Sequence, residues 1–253
     1  MASLAIDAKR LRPGITVICV GYRSPSLLAK MASTLDVISN GRLDLGVGAG
    51  WAEPEYRAYG FQFDPPAVGI EKMREAVVII KKMWTEEKTT YWGRYYKVFD
   101  AYNSQPLQEP HPPIWIGGGG EKSTLRVVAE VADECNFEGL SVEEYIHKLE
   151  VLDTHCARLH RRPDEIRESW QDRVLVADDE AEVRRKLCRF LTTYRDVEGA
   201  VSHIIVGTPE QCIRRIGQYI DLGVTQFMLV FPEAPRDLEG LQLFSKEVMP
   251  SFS

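Results

Sequence analysis

The sequence has no apolar run near the roughly 20 residues that a bilayer-spanning helix needs. Its first twelve residues carry Asp7, Lys9, Arg10 and Arg12 where a secretory signal would have an apolar core. A membrane role is therefore not expected, and the chain reads as cytoplasmic. A basic excess is also lacking: 31 Lys and Arg against 37 Asp and Glu give a net charge of -6, which argues against nucleic acid as a general partner. The five cysteines (Cys19, Cys135, Cys156, Cys188, Cys212) never form C-x-x-C, so reduced thiols are expected and a zinc site is not. The five histidines give no H-E-x-x-H, and His147, His155 and His160 fall in a polar helical stretch. No metal is expected. Low-complexity linkers and internal repeats are absent as well, which leaves an ordinary globular chain, 44% apolar and 27% charged.

What the sequence does have is glycine at strand ends. In Pro113-Ile-Trp-Ile116 a short apolar run breaks into Gly117, Gly118, Gly119 and Gly120. It then becomes a helical pattern with Leu125, Val128, Ala129 and Ala132 on one face. Glycines let the backbone approach a ligand and adopt positive φ, and a helix start offers open N–H groups and a positive dipole end. One glycine would serve a tight turn; four in a row point to a phosphate cradle. It is not a P-loop, because Glu121 stands before Lys122-Ser123, and not G-x-G-x-x-G, because the last position counted from Gly117 is Lys122. Gly46-Val-Gly-Ala-Gly50-Trp51 is a second glycine-rich strand end.

Along the chain, residues 2–10 read as a short helix and 15–20 as the first strand. Ser24 as N-cap and Pro25 begin a helix with Leu27, Leu28, Met31, Leu35 and Ile38 inward, closed by Asn40-Gly41. After the strand 43–47, a long helix carries Ile70, Met73, Val77, Ile80, Met83 and Trp84 at three- and four-residue spacing. Residues 89–99 read as an inserted hairpin around Trp92-Gly93-Arg94. Further strands are expected at 114–116, 134–137, 170–177 and 226–231. Helices are marked by the cap patterns Ser141–Glu144, Asp179–Glu182 and Thr208–Gln211, and a last helix runs from Leu238 to Val248. Strands alternating with helices indicate parallel βαβ units. Six core strands are countable, where a closed (β/α)8 barrel has eight.

The run from Tyr22 through Gly48-Ala-Gly50-Trp51, with Glu53-Pro-Glu-Tyr-Arg-Ala-Tyr-Gly60, Gly93-Arg-Tyr-Tyr96, Pro112-Pro-Ile-Trp-Ile-Gly-Gly-Gly119 and Gly207-Thr-Pro-Glu210, resembles the luciferase-like monooxygenase superfamily. Within it, the chain is similar to the branch of deazaflavin (coenzyme F-420) dependent oxidoreductases, over essentially its whole length. The resemblance implies a single domain over 1–253 with a TIM-barrel α/β fold of the bacterial luciferase type, usually dimeric. Family members begin with a strand, a helix and a second strand before the helix that opens this sequence. The resemblance therefore implies that the first two strands are lacking here; an open barrel would expose the flanks of strands 15–20 and 226–231, so a partner chain or a rearranged segment is expected to cover the gap.

By the same resemblance, coenzyme F-420 is the expected cofactor, with FMN as the alternative, and Gly117 to Gly120 with Lys122 and Ser123 hold its phosphate or the start of its acidic tail. Val17-Ile18-Cys19 aligns with a strand end that often bulges, sometimes with a cis peptide, behind the ring; Ile18-Cys19 replaces the frequent Thr-Gly. Cys19 itself reads as a small buried hydrophobe before a nucleophile. Ala49, Gly50 and Trp51 line the ring pocket, and Asn136 is a candidate partner of the ring. Related sugar-phosphate dehydrogenases place an acidic glutamate where Trp51 stands, which leaves Glu53, Glu55 and Trp51 as the weak candidates for catalysis. Arg23 and Arg42 are candidates for steering a polyanion, although an arginine beside a strand start, as Arg42 is, more often makes a structural ion pair. The expected function is a flavin- or deazaflavin-dependent oxidoreductase acting on a small organic substrate, as a homodimer or higher oligomer. The alternatives are a shortened, non-catalytic barrel acting as a scaffold and a barrel lyase or isomerase that takes a phosphate ligand.

Overall fold

A computed structural model describes residues 1–192 and 202–252. By its contacts the chain divides into two compact units, Met1–Cys135 with Val151–Ile166 and Asn136–Glu150 with Arg167–Ser253.

In the first unit α1 (Ala2–Asp7) precedes three parallel strands, β1 (Ile18–Cys19), β2 (Leu45–Gly48) and β5 (Ile114–Gly117). β2 lies between the other two, with Val47 opposite Ile18 on one side and Ile116 on the other. Helices follow each strand: α2 (Pro25–Ile38) after β1, α3 (Glu53–Ala58) and α4 (Pro66–Thr85) after β2, and α5 (Thr124–Val131) after β5. This is the βαβ order expected from the alternation of patterns. All four residues of β2 are buried, and its two glycines leave room for neighbours. A Cβ on Gly46 would come within 2.8 Å of the Trp115 ring, and one on Gly48 within 2.6 Å of Val17 Cγ2.

The stop of α2 is as expected, with Asn40 at φ 57 and Gly41 at φ 72, but its inward face is not. Leu27, Met31 and Ile38 are exposed, while Leu28, Ala29, Ala32, Ser33 and Asp36 are buried. Two causes turn the helix. Small side chains let α4 come close enough for Trp84 Nε1 to donate to the Ala29 carbonyl at 3.1 Å. The fully buried Asp36 carboxylate accepts from the backbone N–H of Leu107 and Gln108, at 2.7 and 3.0 Å, and from Gln108 Nε2 at 2.7 Å. Those bonds outweigh the exposure of three large apolar side chains.

β3 (Lys88–Trp92) and β4 (Lys97–Tyr102) form the antiparallel hairpin. Its turn is fastened to α4 by Glu75, which is buried and accepts the backbone N–H groups of Arg94, Tyr95 and Tyr96 at 2.7, 3.0 and 3.0 Å.

β6 (Glu134–Glu138) and α6 (Val142–Arg158) carry residues of both units. In the second unit β7 (Arg167–Val176) pairs in parallel with β8 (Ile205–Gly207) and with β9 (Gln226–Val230). The three cap patterns behave as expected. Ser141 and Glu144 bond reciprocally, Asp179 accepts from Ala181 and Glu182 at the start of α7 (Glu180–Leu191), and Thr208 with Gln211 forms a capping box on α8 (Pro209–Ile220). Trp170 and Tyr219 stack at 4.6 Å and both donate to the Leu140 carbonyl, at 3.2 and 2.7 Å. β8 is the strand missing from the sequence count; it is three residues long and leads directly into a helix cap, too short to show alternation. The last helix is likewise not one regular element: α9 (Glu239–Leu243) passes into a π-helical turn at Phe244–Val248.

Candidate functional site

Gly117 to Gly120 join the end of β5 to α5 in the first unit, and three of the four positions require glycine for different reasons. Gly117 is a packing position, since a Cβ would meet Val17 Cγ1 at 2.9 Å. Gly118 has φ +121, a conformation that side-chain-bearing residues rarely adopt. Gly120 is exposed, and a Cβ there would meet Thr124 Oγ1 at 2.8 Å. Ser123 is the N-cap residue of α5 yet makes no side-chain cap bond; the Leu125 N–H donates to the Gly120 carbonyl at 3.0 Å, and the helix start has no side chain competing for its other donors. Lys122 is exposed and has no ion pair among the described residues. A turn in which three of four positions favour glycine, followed by a helix start with no side-chain cap, suits a phosphate group.

The second glycine-rich strand end lies beside β1. Tyr56, buried on α3, donates its hydroxyl to the Ala49 carbonyl at 3.2 Å and accepts from the Cys19 thiol at 2.8 Å. It thereby joins the ends of β1 and β2. Its ring packs against Tyr22 at 4.6 Å and Phe63 at 5.2 Å, and Tyr22 packs against Phe61 at 4.9 Å. Burial, then the bond to Cys19, raises the Tyr56 phenol well above its ordinary value. It therefore remains a neutral hydroxyl at any physiological pH. The cavity beside it, between Gly21, Ala49, Gly50, Asp64 and Lys72, measures about 20 Å³. That is room for about one water, not for a ring system. The Thr16–Val17 peptide, next to the segment expected to bulge, is cis, and Ile18 and Cys19 are both half-buried.

Trp51 is 88% exposed, a large apolar surface held out beside the Ala49–Gly50 turn. Glu55 accepts from the Tyr22 hydroxyl at 2.9 Å, and Glu53 pairs with Arg57 at 2.6 Å. Arg42 is a staple: its guanidinium donates to the carbonyls of Ser39, Ala8 and Ala5 at 2.6, 2.7 and 2.7 Å. It ties the start of the chain to the end of α2, a structural role, though through carbonyls and not through an ion pair. Arg23 is exposed. Asn136 belongs to the second unit, mid-strand on β6 and 2% exposed, its amide donating to Ser169 Oγ at 3.1 Å and Met228 Sδ at 3.3 Å. The first unit thus contains two neighbouring strand ends, one bearing Cys19, Ala49, Gly50 and Trp51, the other Gly117 to Gly120. Val17 is the side chain between them, close to both Gly48 and Gly117.

Tyr56 and Val17 are absent from the residues expected on sequence grounds. Tyr56 had a signal, an aromatic in a polar turn of helix just after the glycines. Val17 had none, since its role depends on the space two distant glycines leave. Among the described residues no cluster of three or more His, Cys, Asp or Glu could hold a metal ion.

Comparison with known proteins places the chain in a family. The chain is 28% identical over 276 residues to an F420-dependent glucose-6-phosphate dehydrogenase of Microbacterium testaceum (strain StLB037), covering 99% of this chain and 81% of the relative. Over 130 residues it is 32% identical to an FMNH(2)-dependent dimethylsulfone monooxygenase of Pseudomonas putida, covering 51% of this chain and 36% of the relative. Among solved structures, an F420-dependent secondary alcohol dehydrogenase in complex with an F420-acetone adduct superposes with a TM-score of 0.80 at 19% identity, over 95% of this chain and 79% of the other. That likeness shows a shared fold. The model of the luciferase-like monooxygenase family matches residues 1–201; the chain belongs to that family.

Proposed function

We propose that the protein is an oxidoreductase whose cofactor is the deazaflavin coenzyme F-420, with FMN as the alternative. Family membership and relatives that include F420-dependent dehydrogenases and an FMNH(2)-dependent monooxygenase support the broader class, a flavin- or deazaflavin-dependent oxidoreductase. The choice of F-420 leans on the full-length matches, which include three F420-dependent dehydrogenases. When bound, the coenzyme would supply the hydride chemistry, or oxygen activation if it is FMN. In this reading Gly118, Gly119, Gly120 and the α5 start receive the phosphate. Lys122 and Ser123 stand beside it, and Ile18, Cys19, Ala49, Gly50 and Trp51 form the wall toward the ring. The observation that carries the reading is the Gly118–Gly120 turn, with its positive φ and its uncapped helix.

Trp51 occupies the place of the acid, and Glu53 and Glu55 already have partners. That observation favours the second reading, a relative that binds coenzyme weakly or not at all and serves as a scaffold. Titrating the purified protein with F-420 and with FMN while following fluorescence separates the two, and bleaching of bound F-420 by candidate alcohols or sugar phosphates then tests turnover. Binding of neither coenzyme overturns the enzyme reading; binding of FMN alone overturns the choice of F-420.

The apolar side chains exposed along α2, Leu27, Met31, Val37 and Ile38, support a homodimer or higher oligomer; a monomer by light scattering at micromolar concentration would contradict it. The five free cysteines support a reducing, cytoplasmic location. Among the described residues no helix is long and apolar enough to cross a membrane.

A further inference from the structure

The hydroxyl of Tyr56 occupies a slot that the chain opens for it at two places. Tyr56 is 4% exposed, and its oxygen lies where side chains on Gly21 and Gly50 would otherwise stand: a Cβ there would come within 2.3 and 2.2 Å of it, respectively. Packing alone does not require that oxygen. The ring contacts with Tyr22 and Phe63 would be kept by phenylalanine, so two glycines are committed to one hydroxyl. What the hydroxyl does is hold the Ala49 carbonyl, to which it donates at 3.2 Å while accepting from Cys19. Burial keeps the phenol protonated, so this donor persists at any physiological pH.

Holding a carbonyl also fixes the N–H on the far side of the same peptide. The Ala49–Gly50 peptide is trans, and in a planar trans peptide the C=O and the N–H point in opposite directions. With the Ala49 carbonyl turned toward Tyr56, the Gly50 N–H points away from it. Gly50 is exposed, with φ +86, and its N–H has no hydrogen bond among the described residues. It is an oriented, open donor just past the end of β2 and one residue before Trp51.

We propose that Tyr56 is a positioning residue: through the Ala49 carbonyl it aims the Gly50 N–H at an acceptor on the carbonyl-bearing edge of the bound ring. The inference rests on the flavin or deazaflavin reading and holds for either coenzyme, because both rings carry carbonyl oxygens on that edge. Tyr56 itself does not touch the ring. Without its hydroxyl the Ala49–Gly50 peptide is free to turn, and binding falls by the contribution of one hydrogen bond, about fivefold to tenfold.

The test reads the Gly50 amide directly. Ala49-Gly50 is the one Ala-Gly pair in the sequence, so full-length protein carrying 13C at alanine carbonyls and 15N at glycine gives a single carbonyl-correlated amide signal in NMR spectra. In the native protein, saturating F-420 or FMN is expected to slow exchange of this amide with water by about tenfold or more. Tyr56→Phe is expected to bind the same coenzyme about fivefold to tenfold more weakly and, at saturation, to slow the exchange by less than about threefold. Gly21→Ala, whose Cβ displaces the hydroxyl, should reproduce that result and replaces Tyr56→Phe as the probe if the latter does not fold. Phe63→Leu loosens the packing around the same ring but keeps the hydroxyl, and is expected to bind and protect as the native protein does. A Gly50 amide that stays unprotected in the native protein with coenzyme bound overturns the positioning role and leaves the cofactor reading standing. Native-like protection in Tyr56→Phe overturns it too, as does an equal loss in Phe63→Leu, which would make Tyr56 a packing residue only. Binding of neither coenzyme overturns the cofactor reading and the inference with it.

Discussion

Gly118 illustrates what a single residue decides. Its φ of +121 strains any side chain there, so Gly118→Ala should cost about 1–2 kcal/mol of stability. It should also weaken coenzyme binding, because the strained turn re-aims the N–H groups of the cradle. Thermal melts and coenzyme titration of the one variant measure both. The cysteines give a second residue-scale expectation. Burial pushes the Cys212 thiol up to about 12 and raises that of Cys156, whereas Cys188 is exposed. An aromatic disulfide reagent at pH 8 should therefore modify Cys188 rapidly and Cys135, Cys156 and Cys212 only after unfolding; rapid reaction of Cys212 in the native protein would contradict its placement. Gly117 to Gly120 were legible in the sequence because a strand-to-helix turn needs one glycine and not four in succession. Tyr56 and Val17 were not, because a hydroxyl that joins two strand ends and a side chain seated over two glycines become visible only once the strands are side by side.

Among the elements, α2 and the β3–β4 hairpin show polar groups overriding apolar pattern. Counting large apolar residues pointed Leu27, Met31 and Ile38 inward; the buried Asp36 and the small Ala29, Ala32 and Ser33 turn the helix the other way. The boundaries of α2 were legible from Ser24-Pro25 and Asn40-Gly41, which are local signals. Its facing was not, because Asp36 finds its acceptor role only against Leu107 and Gln108, some seventy residues away. Asp36→Ala should accordingly cost about 3 kcal/mol, since it leaves buried donors without an acceptor. Met31→Ser should cost less than about 0.5 kcal/mol in the isolated subunit; denaturant melts at low concentration rank the two. Glu75→Ala frees three backbone donors of the hairpin turn. Hydrogen exchange at Arg94, Tyr95 and Tyr96 should then accelerate well ahead of the core, with a loss of about 2 kcal/mol. Unchanged exchange at those amides would show that the strands hold the turn without Glu75.

For the molecule as a whole, buried acids govern the alkaline limit. Burial raises the folded Tyr219 phenol from its ordinary 10.0 to about 12 and the Cys212 thiol from 9.0 to about 12. Both groups bind their protons more tightly folded than unfolded. Their contribution is complete below the unfolded values and is lost as pH rises from about 9 toward 12. Melting temperature should therefore fall through that range, and Tyr219→Phe should flatten the upper part of the fall. The α/β class was legible from the alternation of patterns along the entire chain; β8 escaped because three residues carry no periodicity. The central claim, that the turn from Gly118 to Gly120 with the start of α5 receives the phosphate of a flavin or deazaflavin coenzyme, is tested most directly by amide hydrogen exchange with and without saturating F-420 or FMN. Protection is predicted to concentrate at residues 118–124 and at the Ala49–Trp51 strand end. Saturable binding with no protection at 118–124, or no binding of either coenzyme, would contradict the claim.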